Sequence, residues 1–510
     1  MVFLIALFAG AVSAFAFEPF ALWPLMPLAF AGLCEMIARA STLRRALLIG
    51  WGFGVGQFCI GLNWIATAFT FQAAMPAWLG WVAVVLLSFY LAVYPMLAAG
   101  LAWKFGRTQR LAQVLALAGA WAICEWLRGT MFTGFAWNPV GVTLVDTPWR
   151  SLTRLIGTYG LSFWTVLLGG TLWLLLRRAW LAGAVVAVPL ALGLLAPLML
   201  PYGPIGEWRH WTVRIVQPNI GQQDKWRPGF EAEAYRRLEN LTLESIPYRR
   251  AYPHLIFWPE AAVTDPLEDG RTGAGRFVAA ERLRATRALD SDELLLTGGL
   301  AFTSRDGKTV DGATNSVFVL GPLGRVLGRY DKAHLVPYGE YLPMRPVLSA
   351  IGLSRLAPGD VDFASGPGPR TITLPDGLKI GFQLCYEIIF SGEVADRASR
   401  PDVIFNPSND AWFGRWGPPQ HLAQARLRAS EENVYVIRST PTGISALIDP
   451  DGAVRNALPW RTAGFIDGTI TNWRKPTLFA RVGNIIPLSL GFLLLLAAIA
   501  LARRPRYRQT

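Results

Sequence analysis

At 510 residues, with 52% hydrophobic residues and a mean hydropathy of +0.33, the chain is too apolar for an ordinary water-soluble enzyme. Its net charge of +13 invites a nucleic-acid reading. That reading loses its support because the basic residues sit in short gaps between apolar runs, where they act as a topology signal.

Eight apolar runs are predicted to span a membrane, at about 2–17, 20–38, 46–69, 78–103, 111–127, 158–176, 180–200 and 485–502. The last, IIPLSLGFLLLLAAIALA, reaches about 27 Å at 1.5 Å per residue, enough to cross a bilayer core. Phe3 to Ala16 has the look of a signal peptide ending in Ser13-Ala14-Phe15-Ala16, but it lacks a basic leader and is read as an uncleaved span. Arg39, Arg44 and Arg45 follow the second run, and Lys104, Arg107 and Arg110 follow the fourth. Arg177 and Arg178 follow the sixth, and Arg503, Arg504, Arg506 and Arg508 follow the eighth, with no acidic residue in any of these clusters. The alternate connections are poorer in charge or mixed, as with Arg128, Asp146, Arg150 and Arg154. The positive-inside rule then puts both termini in the cytoplasm and residues 203–482 on the opposite side. The expected organisation is a membrane domain of seven spans (1–202), an extramembrane domain (203–482), and an eighth span with a basic tail (483–510).

Strand-like runs recur through the extramembrane part: Trp211–Gln217, His254–Trp258, Glu293–Thr297, Ser316–Leu320, Arg325–Tyr330, Leu378–Cys385 and Val403–Asn406. Val434–Ser439, Gly443–Asp449 and Gly464–Thr469 continue the series, and helices are predicted over Phe230–Leu243, Ala274–Ala288 and Pro419–Glu432. The mixture predicts a layered α/β domain whose central sheets are flanked by helices. Cys34, Cys59 and Cys124 lie in or beside spans. Cys385 is alone on the exported side, where it has no partner for an internal disulfide and stands out as a reactive thiol.

Three stretches put polar residues at predicted strand ends: Glu260 in FWPEAA, Lys332, His334 and Glu340 in YDKAHLVPYGEYLP, and Cys385-Tyr386-Glu387. A carboxylate, an amine and a thiol suit acyl transfer. The carboxylate takes the thiol proton, the thiolate attacks a carbonyl, and the ammonium steadies the oxyanion. Each residue taken singly has a plainer reading as a solvated strand end or a core thiol, and the pattern alone leaves the two readings balanced. His334 and His421 raise a Cys–His pair as an alternative, unneeded if Glu260 and Lys332 act. No metal-ligand spacing and no glycine-rich phosphate loop is found, and no cofactor is expected. Leu342 to Pro358 and the Trp412, Phe413 and Trp416 rings either pack against the spans or dip into the membrane as lids.

The order Glu, Lys, Cys within WPE, YDK-x-HLVP-x-GEY and CYE resembles the nitrilase superfamily of carbon–nitrogen hydrolases. With eight spans around it, the chain resembles the apolipoprotein N-acyltransferase family over nearly its full length. EWLRG…GFAWNPVG (Glu125 to Gly141), QPNIGQQDKW (Gln217 to Trp226), NPSNDAWFG (Asn406 to Gly414), GPPQH (Gly417 to His421) and RSTPTGIS from Arg438 carry that resemblance. It implies a multi-span α-helical membrane domain plus an α/β nitrilase-like αββα sandwich facing the periplasm, in the inner membrane of a Gram-negative bacterium. It implies transfer of a fatty acyl chain from a phospholipid to the α-amine of a diacylglyceryl-cysteine apolipoprotein, the last step of lipoprotein maturation, by a ping-pong route through a Cys thioester. Carried onto matching positions, Cys385 is the nucleophile, Glu260 the general base and Lys332 the oxyanion stabiliser. Glu340, Tyr386 and Glu387 support the pocket and Trp226 lies at the substrate entrance. Trp412, Phe413 and Trp416 are expected to face lipid. Two departures stand out: Thr440-Pro441-Thr442-Gly443 where the family often has Asn-Thr-Gly, and GFAWN for the commoner GFPWN. The competing expectations are a membrane-tethered amidase using the same triad and a transporter with an inert enzyme domain. Against the latter, few ionisable residues lie in the spans, Glu35 and Glu125 being the exceptions.

Overall fold

The computed structural model describes residues 1–71, 76–200, 209–225, 227–244, 254–350, 355, 362–471 and 475–503. Its first part is helical: α1 (Val2–Ser13), α2 (Leu25–Ala38), α3 (Leu43–Gly61), α4 (Ile65–Ala68), α5 (Leu79–Leu91), α6 (Val93–Gly106), α7 (Arg110–Thr130), α8 (Thr153–Leu176), α9 (Trp180–Leu192) and α10 (Ala196–Met199). Among the described residues, five helical stretches are long and apolar enough to cross a membrane: Leu79–Gly106, Arg110–Thr130, Pro148–Leu176, Trp180–Met199 and Ile485–Arg503. A sixth forms if α3 and Ile65–Phe71, bent by 48° from one another, are one span. Val2–Ala16 and Leu25–Ala38, where the first two runs were predicted, are apolar but shorter. At 1.5 Å per residue they reach roughly 21–23 Å against a hydrocarbon core of about 30 Å.

Apolar helices in lipid gain little from hydrophobicity against one another and associate through close backbone approach. The α1–α3 crossing shows this, since a Cβ on Gly56 would sit 2.0 Å from the Leu7 carbonyl oxygen. The two acidic residues of the predicted spans are both partnered. Glu35 accepts from Trp173 Nε1 and Arg177 Nε, each at 2.8 Å, and Glu125 from Trp121 Nε1 at 3.0 Å and the Val140 N–H at 2.8 Å.

The second part holds strands β1 (His210–Gln217), β2 (Leu255–Phe257), β3 (Pro266–Asp269), β4 (Leu294–Thr303), β5 (Gly312–Gly321), β6 (Arg325–Asp331), β7 (Thr371–Thr373), β8 (Lys379–Phe382), β9 (Val403–Pro407), β10 (Tyr435–Ser439), β11 (Ala446–Ile448), β12 (Val454–Ala457) and β13 (Gly464–Thr471). Between them lie α11 (Gln222–Lys225), α12 (Glu231–Leu243), α13 (Gly275–Ala285), α14 (Arg345–Ala350) and α15 (Gly417–Glu432). After them come α16 (Leu478–Val482) and α17 (Ile485–Arg503). One sheet runs β13-β1-β2-β4-β5-β6, with β3 paired to β4, and the other runs β12-β11-β10-β9-β8-β7.

Alternation sorts the side chains. Val213, Ile215, Leu255, Phe257, Leu296, Val317 and Val319 of the first sheet meet Ile380, Phe382, Val403, Phe405 and Ile437 of the second. Their neighbours Val216, Ile256, Leu295, Phe318 and Leu320 point the other way, onto Tyr235 and Leu238 of α12 and Ala285 of α13. Ile404 and Val436 face outward from the second sheet, onto Ala425 and Ala429 of α15 and onto Phe58, Leu62, Leu91 and Trp137 of the helical part. The order helix, sheet, sheet, helix is the αββα sandwich, with the helical part outside its second layer. Glu431 of α15 fastens the two parts together: its Oε1 accepts from the Thr158 N–H at 2.6 Å, Thr158 Oγ1 at 2.7 Å, Ser391 Oγ at 2.8 Å and Arg428 Nη2 at 3.0 Å.

β3, β7 and β12 were not predicted, because each carries only three or four residues at a sheet margin and has little apolar alternation. The strand expected through Cys385 ends at Phe382 instead, and Cys385 opens a 3₁₀ turn, Cys385–Ile389.

Candidate active site

β2 is parallel to both β1 and β4, so it is held on each side and delivers the chain through Trp258 and Pro259 to Glu260 at a fixed point. Gly298 of β4 permits this, since a Cβ there would come within 2.7 Å of the Glu260 Cα. At the far edge, β6 runs antiparallel to β5 and ends just before Lys332, whose N–H donates to the Asn315 carbonyl at 2.9 Å. From the second sheet, β8 carries the chain to Gln383, whose N–H donates to Phe405 O at 2.9 Å, and then to Cys385. Phe257 and Phe405, with ring centroids 4.8 Å apart, lock the two sheets together directly beneath these strand ends.

The side chains converge in a buried pocket. Lys332 Nζ lies 2.9 Å from Glu340 Oε1 and 3.7 Å from Glu260 Oε1. Asn315 Nδ2 donates to both carboxylates, at 2.8 Å to Glu260 Oε1 and 2.9 Å to Glu340 Oε1. Glu340 is pinned further by the Val336 N–H at 2.9 Å. Burial works against the Lys332 charge, but the carboxylates of Glu340 and Glu260 outweigh it and hold the ammonium above its ordinary pKa. The second oxygen of Glu260, Oε2, is buried and has no partner among the described residues. Burial and the Glu260 charge push the Cys385 thiol well above its ordinary pKa, with Lys332 and the Asn409 N–H offsetting part of that rise. The resting state is therefore a thiol beside a carboxylate and an ammonium. That arrangement suits proton transfer from sulfur to Glu260 at the moment of attack.

The carboxylate of Glu387 is fully engaged by hydrogen-bond donors. It accepts from Tyr330 Oη at 2.9 and 3.0 Å, from the N–H groups of Ala333 at 2.8 Å and His334 at 3.0 Å, and from the Leu384 N–H at 2.7 Å. It thus joins the turn bearing Cys385 to the loop bearing Lys332. Tyr386 Oη donates to the Gly134 carbonyl at 3.2 Å, and His334 Nε2 donates to the Thr133 carbonyl at 2.8 Å. Both loops of the site are in this way tied to the connection between α7 and α8.

The three ring residues expected at a lipid surface pack against aromatic rings in the turns between helices of the first part. Trp412 lies 5.7 Å from Phe71, Phe413 lies 4.6 Å from Trp64, and Trp416 lies 5.2 Å from Phe20, centroid to centroid. Met344, just before α14, and Val347, within it, are exposed. Trp226 and residues 351–354 and 356–358 of the predicted Leu342–Pro358 lid lie outside the described residues.

Reading residues singly missed Asn315, a lone amide in the apolar strand GATNSVFVL. It also missed Lys225, whose buried Nζ donates to the Glu260 carbonyl at 3.3 Å and whose pKa burial lowers to about 8. Spacing along the chain gave no metal-ligand cluster. In space, one ligand atom each from Cys385, Asp410 and His421 lie within 4.8 Å of one another. Those groups have partners of their own. Asp410 accepts from Arg438 Nη2 at 2.6 Å, and Arg438 Nη2 lies 3.0 Å from His421 Nδ1, a positive charge where a cation would have to enter. His421 Nε2 faces the Cys385 carbonyl oxygen at 3.0 Å, so the Cys–His alternative finds its histidine hydrogen-bonded to the backbone of Cys385.

Comparison with known proteins covers both parts. Residues 9–171 match the family described as the apolipoprotein N-acyltransferase N-terminal domain, and residues 212–474 match the carbon–nitrogen hydrolase family. An apolipoprotein N-acyltransferase of Rhodopseudomonas palustris is 34% identical, covering 98% of this chain and 95% of that protein. One from Bradyrhizobium diazoefficiens is 35% identical, covering 97% and 94%. One from Caulobacter vibrioides is 34% identical, covering 98% and 94%.

Proposed function

The chain belongs to the apolipoprotein N-acyltransferase family, and from that premise we propose the following assignment of its chemistry. The enzyme acylates lipoproteins, taking the acyl chain from a phospholipid. Cys385 Sγ attacks the ester carbonyl of the phospholipid while Glu260 takes the thiol proton. The tetrahedral oxyanion is met by the Lys332 ammonium and the Tyr386 N–H. Its collapse breaks the acyl–oxygen bond, Glu260 returns the proton to the departing oxygen, and a lysophospholipid leaves. The free α-amine of the diacylglyceryl-cysteine then attacks the thioester and passes a proton to Glu260; collapse breaks the carbon–sulfur bond to leave the amide, and Glu260 returns the proton to the departing Cys385 sulfur, restoring the thiol. Glu340 and Asn315 hold Lys332 and Glu260 in register through both halves.

One observation carries this reading. Glu260, Lys332 and Cys385 come from three strand ends of two different sheets, and a buried ammonium lies between two carboxylates beside a protonated thiol. The ties from Tyr386 and His334 to Gly134 and Thr133 favour a lipid acyl donor, because they join the reacting loops to the apolar helical part. The positive-inside pattern supports cytoplasmic termini with the 203–482 domain on the opposite face, and family membership supports reading that membrane as the inner one and that face as periplasmic.

Intact-mass measurement of the purified protein with phospholipid tests the assignment. Wild type should gain a hydroxylamine-labile fatty acyl mass that Cys385→Ala lacks, and a diacylated lipopeptide should discharge it. Absence of the adduct, or its equal appearance in Cys385→Ala, rules the mechanism out. Discharge by water alone would indicate a hydrolase.

A further inference from the structure

Cys385 has a backbone φ of +50°, a left-handed conformation that is unfavourable for a non-glycine residue and persists only where the surroundings hold it. The Cys385 carbonyl oxygen accepts from His421 Nε2 at 3.0 Å. A carbonyl only accepts, so the proton is on Nε2. Behind the ring, His421 Nδ1 lies 3.0 Å from both Asp410 Oδ1 and Arg438 Nη2. Arg438 and Asp410 already balance one another's charge through the 2.6 Å contact between them, and Arg438 is anchored by Asn406 Oδ1 at 2.5 Å and Ser408 Oγ at 3.0 Å. A protonated ring would add an unbalanced charge to a fully buried cluster, so His421 is neutral and its Nδ1 accepts from Arg438. Burial and the Arg438 charge push its pKa in that direction, below the ordinary value. Trp137, at 5.2 Å, and Phe413, at 5.7 Å, hold the ring plane.

The peptide between Cys385 and Tyr386 is planar and trans, so its carbonyl and its N–H point in opposite directions. Fixing the Cys385 carbonyl therefore fixes the Tyr386 N–H, which has no hydrogen-bond acceptor among the described residues.

We propose that His421 is a positioning residue for catalysis. By holding the Cys385 carbonyl, it aims the Tyr386 N–H at the oxyanion formed in both half-reactions, and the Arg438 guanidinium facing Nδ1 keeps the ring proton on Nε2. This rests on the reading of Cys385 as the acyl-accepting nucleophile. It separates His421 from any role as base toward the thiol.

The test compares two reactions of the same sulfur. Acylation by phospholipid passes through an oxyanion. Alkylation by iodoacetamide needs the thiolate but no oxyanion donor. In His421→Asn the side-chain amide replaces Nδ1 toward Arg438 but cannot supply the Nε2 donor, whereas His421→Gln places an amide N–H where Nε2 was. His421→Asn should slow single-turnover acylation on the order of 100-fold, the loss expected for one oxyanion donor. Its alkylation rate should stay within about twofold of wild type, and His421→Gln should recover acylation to within about tenfold. If His421→Asn fails to fold, His421→Met, which fills the space without a donor, is read in the same way. Acylation within about threefold of wild type, or a fall in alkylation matching the fall in acylation, overturns the proposal. Failure of wild type itself to form the adduct would instead sink the nucleophile assignment.

Discussion

The Glu387 carboxylate lies 2.9 Å from the Tyr330 hydroxyl and accepts from the Ala333 and His334 N–H groups of the loop that carries Lys332. A residue two positions from the nucleophile thus works as a cross-link between the two sheets. In Glu387→Gln, one carboxylate oxygen becomes an NH₂ facing donors, so at least one N–H is left without an acceptor. The expected cost is about 1–3 kcal/mol of stability, with acylation and discharge slowed together. Single-turnover mass measurements of each half-reaction check this. Slowed discharge with intact acylation would instead put Glu387 against the incoming amine.

The raised pKa of Cys385 predicts the pH dependence of its reactivity. Because the resting form is the thiol, its rate of alkylation by iodoacetamide should climb about tenfold per pH unit from pH 7 to 9. A plateau in that range would mean a preformed thiolate, against the proton transfer to Glu260 proposed above.

Lys225 is buried with a pKa lowered by burial to about 8, against 10.5 in its ordinary state. A depressed lysine destabilises the fold as pH falls from 10.5 toward 8, and the penalty is constant below that. Lys225→Met should therefore be more stable than wild type at pH 7, by up to about 3 kcal/mol less about 1 kcal/mol for the hydrogen bond lost to the Glu260 carbonyl. The advantage should shrink between pH 8 and 10.5. Thermal unfolding in detergent at pH 7, 9 and 10.5 checks it, and a difference that ignores pH would contradict the assignment.

Glu431 and Arg428 form a fully buried pair at the junction with Thr158 of α8. Glu431→Ala strands the arginine and should cost about 3–5 kcal/mol, whereas Arg428→Met with Glu431→Leu should recover most of that loss. Melting temperatures of the full-length chain, with hydrogen exchange across α8 and α15, give the comparison. Equal destabilisation in the double variant would show that the hydrogen bonds to Thr158 matter more than the charge pair.

Much of this protein was legible in one dimension. Apolar runs, the strand-like segments of β1, β5 and β9, and the placement of Glu260, Lys332 and Cys385 near strand ends are local properties, set by side-chain hydrophobicity and backbone preference. The roles of Lys225 in QPNIGQQDKW and of His421 in GPPQH were not legible there, because they lie in contacts with residues 35 or 36 positions away. Tertiary structure alone decided that Glu387 faces Tyr330, that Asn315 bridges Glu260 and Glu340, and that Phe413 packs between Trp64 and His421. The physical reason is one of direction. Sequence sets which residue stands at a strand end, but where a side chain points from a turn depends on the φ of that turn and on the partners folding brings to it. At Cys385, φ is +50° and a partner is the imidazole of His421, neither of which the strand KIGFQLCYEIIF contains in itself.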